Sequence, residues 1–500
     1  MKRVFSHPLT SLSAGLCLRL FFLLEYPQTS GDTVLYEEFA RNWLKHGIYG
    51  MKVAGKIVPI DMRVPGYPAY LALVYAISGR TGADARLWVM LGQIAVDLLT
   101  CLVIASLAGL LVCSCSTTGK PGRAFRIALW LAALCPFTAN YVAVPLTETF
   151  AFFFTSVALT LICLIFLKLR GTDFSGLATT FRLRTQLPAL ALLLGFILGI
   201  GTLFRPETPM LLAVFFLVLV PFLLKRGDLR RCIQIVVLSG IACVLPLVPW
   251  AIRNAVALHE VRFLAPEYSN IPGELIPYGF MKWERTWLYR FRDVYLVSWN
   301  LNSDAINLDN LPSYAFDSPQ ERQKVGEILD QYNEDQTLTP EEDAAFGEIG
   351  RERTARHPLR TYLCVPFLRV FTMWFTPRIE LLPFSGQVWP PAAAWDNDPV
   401  DMSFTIGFFL LNVVYVVFGL WGGWRLWRRG AGSRPVLLVF LLYIVLRTAF
   451  LTTLETPEPR YVLECYPILL ALIAVLFAGK PALPAEVDPL NALRLARGGS

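Results

Sequence analysis

Charged residues are scarce in this chain. They make up only 17% of its 500 residues, whereas 55% are hydrophobic, and the mean hydropathy is +0.50. An ordinary soluble domain does not have this balance, and apolar runs near the length of about 20 residues that crosses a bilayer recur along the sequence. The composition therefore predicts a multi-pass membrane protein. The net charge of +7 comes mostly from short loops, so it informs topology and indicates no nucleic-acid partner.

Several familiar signals are missing. The chain has ten cysteines, but their spacing fits neither a zinc site nor a disulfide framework. Internal repeats and low-complexity segments are also absent from the sequence. The first apolar run, Leu9 to Leu24, has little N-terminal charge and no small-residue cleavage site before Tyr26. It is therefore predicted to be a retained first helix rather than a removed signal peptide.

Ten transmembrane helices can be drawn through the apolar runs. Lysine and arginine mark cytoplasmic loops, and four basic loops lie at 120–126, 168–184, 225–231 and 425–434. With the N-terminus inside, ten spans place all four loops on the cytoplasmic side. The predicted spans are 9–25, 86–113, 127–144, 148–168, 188–204, 208–224, 232–250, 403–422, 435–452 and 462–479.

Two further apolar stretches do not fit this topology. Tyr67 to Gly79 is too short to span comfortably, and counting it would invert every loop up to residue 232, so it is predicted to lie at the outer interface. Leu359 to Phe375 carries Arg360 and Arg369, which a free span would tolerate poorly. It is predicted to be a second interfacial helix.

The predicted fold is an all-α multi-pass membrane protein in three parts. Residues 1–252 form a transmembrane catalytic module with a first outer loop at 26–85, residues 253–401 form an external, mostly helical domain, and residues 402–500 form a C-terminal transmembrane module. Within the external domain, Ser318 with Glu321 and Thr339 with Glu342 fit capping boxes followed by proline. Because the cytoplasmic loops are short, any chemistry is expected on the outer side.

The first outer loop contains a candidate catalytic acid, Asp32. From this residue the chain is predicted to form an amphipathic helix whose apolar stripe, Leu35, Phe39 and Trp43, lies against the membrane. Asp32 has two interpretations. It is either the N-cap of this helix or a carboxylate that accepts a proton or binds a metal ion.

Arginines and acids recur in turns that are predicted to face outward. Arg63 in "RVPGYP" could bind a phosphate at headgroup depth, or it could be an ordinary snorkelling arginine. Arg19 and Asp97 lie in the middle of spans and are predicted to form a structural pair, and Arg447 could join the phosphate pocket. The other polar residues of these turns are Glu148, Arg205, Glu207, Arg253, Asn254, Glu455, Glu458, Arg460 and Tyr461.

The order of these motifs resembles the GT-C membrane glycosyltransferases. The nearest branch is the bacterial one similar to protein O-mannosyltransferases and the lipid A aminoarabinose transferase. The likeness lies in an acid after the first span, R-x-P-G-Y-P before an interfacial helix, P-L-T-E, F-R-P-E, P-W-x-x-R-N and, before the last span, P-R-Y. It covers roughly residues 1–260 and, locally, 455–467, whereas 255–400 matches no known pattern.

The resemblance implies transfer of a sugar from a polyprenyl-phosphate carrier to a lipid, glycan or protein acceptor, usually with inversion. It assigns Asp32 as general base or acceptor-positioning group and Glu148 as a second acid that assists or binds a metal ion in some members, although many members have aspartate at the latter position. Asp32 and Glu148 could share a divalent metal ion, Mg²⁺ or Mn²⁺; no other cofactor is indicated. The donor phosphate would be held by Arg63, Arg205, Arg253 and Arg460, and the substrate pocket would include Tyr67, Glu207, Glu458 and Tyr461.

The same resemblance implies a bacterial inner (plasma) membrane, with membrane lipids around the chain and an active site on the periplasmic or extracellular side. Two other functions stay open. A transporter or flippase of a lipid-linked or small anionic substrate is favoured by the mid-span Arg19 and Asp97, and a structural assembly subunit by the external domain. The lack of repeats, and the position of most charges at outer helix ends, favour the enzyme.

Overall fold

The computed structural model describes residues 7–114, 120–171, 186–266, 268, 274–430 and 432–478. Over these ranges the chain is helical almost throughout, and the predicted all-α multi-pass membrane protein is confirmed. One small departure is an antiparallel hairpin in the first outer loop, made of β1 (Gly50–Val53) and β2 (Lys56–Pro59). Arg182 and Arg184 of the second basic loop, and the last residue of the tenth predicted span, lie outside the described residues.

The helices of the described ranges match the ten predicted spans in position. Seven are long and apolar enough to cross a membrane, and an eighth crossing would be a pair bent by 53°, Pro121–Ala133 with Pro136–Ala143. The two remaining predicted spans are helices of 16 residues each. At about 1.5 Å per residue they are about 24 Å long, shorter than a hydrocarbon core of about 30 Å.

The membrane bundle consists of these elements: α1 (Pro8–Glu25), α4 (Arg86–Cys113), α5 (Pro121–Ala133), α6 (Pro136–Ala139), α7 (Glu148–Leu169), α8 (Leu187–Thr202), α9 (Pro209–Leu224), α10 (Leu229–Val244), α11 (Val248–Ala257), α18 (Pro399–Arg429), α19 (Arg434–Thr453) and α20 (Tyr466–Leu476). The first outer loop holds α2 (Gly31–His46) and α3 (Gly66–Ser78). The segment between α11 and α18 holds α12 (Tyr278–Glu284), α13 (Phe291–Val294), α14 (Pro319–Asp335), α15 (Pro340–Arg356), α16 (Val365–Trp374) and α17 (Pro391–Asn397).

The bundle is packed around α20, whose every residue is buried. Helix α18 approaches it closely at Gly422, where an added Cβ would lie 2.2 Å from the carbonyl oxygen of Leu472. Small residues allow such contacts between membrane helices. The predicted pair of mid-span charges is also confirmed: Arg19 and Asp97 are both buried and lie 2.5 Å apart. Arg19 donates further hydrogen bonds to backbone carbonyls of α1 and α5, so this ion pair ties α1, α4 and α5 together.

Helix α2 starts one residue earlier than the sequence predicted. Ser30 is the N-cap and forms a capping box with Thr33. Asp32 lies in the first turn instead, so its interpretation as the N-cap is wrong and its carboxylate is available for other contacts.

The apolar stripe of α2 packs against protein, which corrects the predicted membrane contact. Phe39 is fully buried and belongs to a cluster with Tyr49 of the first loop and Trp250 of α11, with Leu35 packed against it. The ring of Trp43 lies edge-on to that of Tyr49. Helix α2 is therefore fastened to the hairpin and the bundle by the residues that were expected to grip lipid.

Helices α12 to α15 have a core of their own, built from Trp283, Trp287 and Phe346 among others. The capping box of Thr339 and Glu342 is present at the start of α15. At α14, Ser318 accepts from the Glu321 N–H, but the Glu321 carboxylate turns instead to the Asp317 N–H, Arg353 and Arg356. Ion pairs with two arginines stabilise this buried carboxylate more than a hydrogen bond from the N–H of the N-cap would.

The predicted interfacial helix at 359–375 begins with a π turn, Arg360–Cys364, and continues as α16. Its two arginines have protein partners. Arg360 pairs with Asp317 at 2.5 Å, and Arg369 donates to the carbonyls of Leu288 and Leu454. These contacts satisfy charges that a free membrane span would have left exposed to lipid.

Candidate functional site

A cavity of about 290 Å³ opens where the first outer loop meets the ends of several bundle helices. Its polar lining comes from parts of the chain that are far apart in sequence: α2, the segment after the hairpin, the start of α7, the turn between α8 and α9, and the turn before α20. Hydrogen bonds to backbone carbonyls bring these parts of the chain together. Thr33 Oγ1 donates to the carbonyl of Pro145, three residues before Glu148. The charged and tyrosyl lining residues are Asp32, Tyr36, Arg63, Glu148, Arg205, Glu207, Arg460 and Tyr461.

Gly66 sets the position of Arg63 relative to Arg205. Its N–H donates to the Leu203 carbonyl at 2.6 Å, two residues before Arg205. An added Cβ at this glycine would lie 2.4 Å from the same oxygen. The "RVPGYP" and "FRPET" turns therefore touch through their backbones, and only glycine permits this approach.

Asp32 is held between two arginines. Its carboxylate lies 3.0 Å from Arg63 and 3.5 Å from Arg460. Burial raises the pKa of this carboxyl, but the attraction of Arg63 and Arg460 outweighs burial and leaves the pKa below its usual range. Asp32 is thus ionised at neutral pH and paired on both sides.

Glu148 lies in the first turn of α7 and is 2% exposed. One carboxylate oxygen is 2.7 Å from Arg205 and 3.3 Å from Arg460. The other oxygen, Oε2, is buried without a hydrogen-bond partner. Buried carboxylate oxygens rarely lack a hydrogen-bond donor. Oε2 is therefore an acceptor that a hydrogen-bond donor of a ligand would satisfy.

Tyr461 packs against the two arginines nearest Glu148. Its ring centroid is 4.9 Å from the guanidinium of Arg205 and 5.1 Å from that of Arg460. Its hydroxyl donates to Glu458 at 2.9 Å, and Glu458 in turn lies 2.6 Å from Arg460. Cation–π and ionic contacts of this kind fix the planes of both guanidinium groups.

A second layer of charge lies behind the cavity. Arg447 pairs with Glu464 at 2.6 Å and with Glu207 at 3.4 Å, and Glu207 lies 3.7 Å from Arg205. Burial alone would raise the pKa of the Glu207 carboxyl. The attraction of Arg205 and Arg447 outweighs burial and leaves that pKa below its usual range. Sequence reasoning missed Glu464, although an acid in the apolar run "YVLECYPILL" signals a buried pair.

Three of the predicted site residues do not line the cavity. Tyr67 is fully buried and donates to Gln93 at 2.6 Å. Arg253 donates to the carbonyls of Tyr49 and Ile60, so its guanidinium fastens the first loop to α11 and is not available for a donor phosphate. Glu458 does not line the cavity either, but it contacts Arg460 and Tyr461, which do.

A metal ion shared by Asp32 and Glu148 does not fit the arrangement of these residues. Arg460 lies between them, 3.5 Å from one carboxylate and 3.3 Å from the other. Its guanidinium thus holds the place that a bridging cation would take. Among the described residues, no group of three or more histidine, cysteine, aspartate or glutamate side chains could hold a metal ion.

Comparison with known proteins gives a likeness of fold. No protein-family model and no curated protein matches the chain. It is similar to the archaeal oligosaccharyltransferase AglB from Archaeoglobus fulgidus, solved with an inhibitory peptide and a dolichol-phosphate, at 13% identity and a TM-score of 0.49, over 99% of this chain and 52% of that one. It is also similar to ArnT from Cupriavidus metallidurans, at 13% identity and a TM-score of 0.37, over 93% of this chain and 76% of that one.

Both are membrane glycosyltransferases of the GT-C superfamily. The chain spans about half the length of the oligosaccharyltransferase. At these identities and TM-scores the likeness is one of fold, and function has to follow from the site residues themselves.

Proposed function

We propose that this chain is a membrane glycosyltransferase that takes a sugar from a polyprenyl-phosphate carrier and passes it to a lipid, glycan or protein hydroxyl. The observation that carries the proposal is the cavity in which Arg63, Arg205 and Arg460 alternate with Asp32 and Glu148. Guanidinium groups suit phosphate oxygens because they donate two parallel hydrogen bonds. The carboxylates suit the proton that the acceptor must lose.

The position of the cavity favours a lipid-linked donor. Glu148 begins one candidate span and Arg460 lies in the first turn of another, so the charged groups lie at the ends of membrane helices. A phosphate at headgroup depth would reach them while its isoprenoid tail remains in the bilayer. We place this cavity on the periplasmic or extracellular side of a bacterial inner membrane, because the basic loops lie at the opposite helix ends.

The chemistry divides between the two kinds of side chain. The leaving lipid phosphate gains negative charge, which the arginines stabilise as it develops. Asp32 is the proposed general base for the acceptor hydroxyl, and Glu148 orients Arg205 and Arg460 and offers a free oxygen, Oε2, to a substrate hydroxyl. A general base contributes about 10²–10⁴-fold to the rate.

The test is turnover of a panel of polyprenyl-phosphate-linked sugars by the purified chain in lipid nanodiscs, with release of polyprenyl phosphate as the readout. Asp32→Asn should lower turnover by about 10²-fold or more. Asp84→Asn is the matched control, because Asp84 lies in the same loop and is exposed. Full turnover by Asp32→Asn would show that this carboxylate is not the base, and no release from any donor would refute the proposed donor class.

The transport alternative has no specific support among the described residues. Its main argument was the mid-span position of Arg19 and Asp97, and these two side chains are buried and paired with each other. Their ion pair explains why both charges lie in the middle of the membrane helices, so neither has to be assigned to transport. Glycosyl transfer is therefore the function that we propose.

A further inference from the structure

A basic surface lies at the end of the bundle opposite the cavity. Helix α7 begins at Glu148, which lines the cavity, and spans 22 residues to Leu169, a length of about 33 Å. Beyond its far end, the guanidinium of Arg170 packs against Gly432, since a Cβ added to this glycine would lie 2.4 Å from Arg170 Nη1. Gly432 belongs to the loop that joins α18 to α19, so the arginines around this loop also lie at the far end of α7.

Helix α18 reaches this end with tryptophans at the boundary of the membrane. It contains no charged residue from Met402 to Trp424. At about 1.5 Å per residue this stretch is about 34 Å long, slightly more than a hydrocarbon core of about 30 Å. Trp424 and Trp427, both exposed, therefore lie where the core meets the headgroups, which is the position that tryptophan favours.

Two exposed arginines lie on these rings. The guanidinium of Arg428 is 5.2 Å from the ring centroid of Trp424, and that of Arg434 is 5.8 Å from the ring centroid of Trp427. Trp424 is three residues from Trp427 and four from Arg428, so the three side chains share one face of α18. A ring beneath the plane of a guanidinium holds the group in place and leaves its N–H edge available to an anion.

Acids do not balance the positive charge at this end of the bundle. Of the described residues in 165–171, 221–235 and 422–437, Asp228 is the only acid, and it pairs with Arg231 at 2.9 Å. The basic residues of the same ranges are Lys168, Arg170, Lys225, Arg226, Arg230, Arg231, Arg425, Arg428, Arg429 and Arg434. A second copy of the chain at this surface would bring arginine against arginine, whereas an anion would be attracted to it.

An exposed apolar stripe leads along α18 to Arg428. Its side chains are 46% to 56% exposed and belong to Leu410, Val414, Val417, Trp421 and Trp424. Residues that recur at intervals of three and four lie on one face of a helix, and in a bilayer this face contacts acyl chains. A molecule with apolar chains and an anionic head therefore matches the whole surface, whereas a soluble anion would use only the arginines.

We propose that Arg428 and Arg434 bind the phosphate of an anionic phospholipid in the leaflet opposite the cavity. Its acyl chains lie along the stripe of α18, and Trp424 and Trp427 hold the two guanidinium groups beside the headgroup. Guanidinium groups bind phosphate through paired N–H donors, and basic clusters next to membrane helices attract anionic lipids. Because the surface and the cavity lie at opposite ends of α7, this inference is independent of the glycosyl transfer proposed above.

The test is native mass spectrometry of the full chain in detergent, titrated with phosphatidylglycerol or with phosphatidylcholine that has the same acyl chains. The wild type should bind phosphatidylglycerol at least fivefold more tightly than phosphatidylcholine, and Arg428→Gln/Arg434→Gln should remove that preference. Lys225→Gln/Arg230→Gln is the matched control, because it removes the same charge from exposed positions at the same end of the bundle. The control should keep the wild-type preference.

Trp424→Leu/Trp427→Leu tests the rings without changing the positive charge that orients the chain in the membrane. It should weaken phosphatidylglycerol binding at least threefold, whereas Trp389→Leu, an exposed position before α17, should not. Equal affinity of the wild type for the two lipids, wild-type affinity in the double tryptophan variant, or equal losses in the two double variants that remove charge would each refute the site. A wild-type dimer that Arg428→Gln/Arg434→Gln dissociates would assign the surface to a second copy of the chain instead.

Discussion

Arg460 contacts three acids at or beside the cavity. Its guanidinium lies within 3.5 Å of Asp32, Glu148 and Glu458, and its position between the acids leaves each carboxylate only partly neutralised. A donor phosphate would compete with these carboxylates for the same donors. Because the arginines are already held in place, they can receive the phosphate without a large reorganisation, which is the condition for effective electrostatic catalysis.

Arg63 is the arginine whose removal should disturb the fold least, because its side chain is 30% exposed. Losing a hydrogen bond between charged groups costs about 1.5–3 kcal/mol, so Arg63→Ala should raise the donor Kd by about tenfold to a hundredfold. Arg80→Ala, in the same outer loop and exposed, is the control. Donor affinity measured by titration should separate the two variants; equal affinities would remove Arg63 from the phosphate site.

The acid limbs of the pH profiles of kcat and of kcat/KM should lie at different pH values. Arg63 and Arg460 hold the pKa of Asp32 below its usual range in the free enzyme. A bound donor phosphate would share the hydrogen bonds of these arginines and add negative charge, and both changes raise the pKa of a neighbouring carboxyl. The limb of kcat, which reports the complex, should therefore lie at higher pH than the limb of kcat/KM, which reports the free enzyme. Coincident limbs in steady-state assays would contradict this coupling.

Removal of divalent metal ions should have little effect on turnover. Because Arg460 already stands between Asp32 and Glu148, transition-state charge can be balanced without a bridging ion. We expect chelation of divalent cations with EDTA, followed by gel filtration, to change turnover of the donor panel by less than about twofold. A large loss that Mg²⁺ or Mn²⁺ restores would mean that Arg460 moves aside in the working enzyme and that the carboxylates hold a metal ion.

The junction between the first outer loop and the α8–α9 turn depends on one glycine. Gly66→Ala would place Cβ 2.4 Å from the Leu203 carbonyl oxygen and 2.7 Å from its carbon. Both atoms are backbone, so α3 or the turn has to shift. Overpacking of this kind costs about 1–3 kcal/mol. It should separate Arg63 from Arg205 and lower donor turnover at least tenfold, together with a lower Tm.

Gly240→Ala provides the comparison for that variant. Gly240 lies within α10 and has no atom within 4 Å of the added Cβ, so its Tm and turnover should stay at wild-type values. If Gly66→Ala behaved in the same way, the contact between the two turns would not position the arginines.

Short motifs in the first loop predicted which residues carry charge but not what those residues touch. Asp32 and Arg63 both line the cavity, and prolines and a glycine define the turn that presents Arg63. Arg253 had an equally suitable sequence context, yet the carbonyls of Tyr49 and Ile60, which flank the hairpin, occupy its donors. A hairpin of four-residue strands leaves almost no pattern in the sequence, so the partner of Arg253 could not be foreseen.

The positions of the long apolar helices followed from hydropathy because a bilayer imposes a fixed length on apolar segments, whereas the predicted number of ten crossings stays a prediction, since seven or eight of the described helices meet the length. The convergence of Asp32, Glu148, Arg205 and Arg460 could be anticipated only as residues on one face, since distances between helices do not appear in periodicity. The core of α12 to α15 depends on contacts over long sequence separations and leaves no local signal.

The sidedness of the whole chain can be tested with single cysteines and a membrane-impermeant maleimide in intact cells. Lys45→Cys and Arg80→Cys flank α3, so both should be labelled if α3 lies at the interface; a crossing by α3 would protect one of them. Gln323→Cys on α14 should also be labelled, whereas Arg230→Cys, in the first turn of the span Leu229–Ala257 and so at its opposite end, should be protected until the membrane is permeabilised.

The background for these variants should have Cys17, Cys115 and Cys364 replaced by serine, because Cys17 and Cys364 are exposed and Cys115 lies outside the described residues. Labelling of Gln323→Cys and Arg230→Cys from the same side would contradict a crossing between them. Protection of Lys45→Cys, Arg80→Cys and Gln323→Cys alike would place the arginine-lined cavity in the cytoplasm, where a donor with a cytoplasmic sugar would have to replace the outward-facing one proposed here.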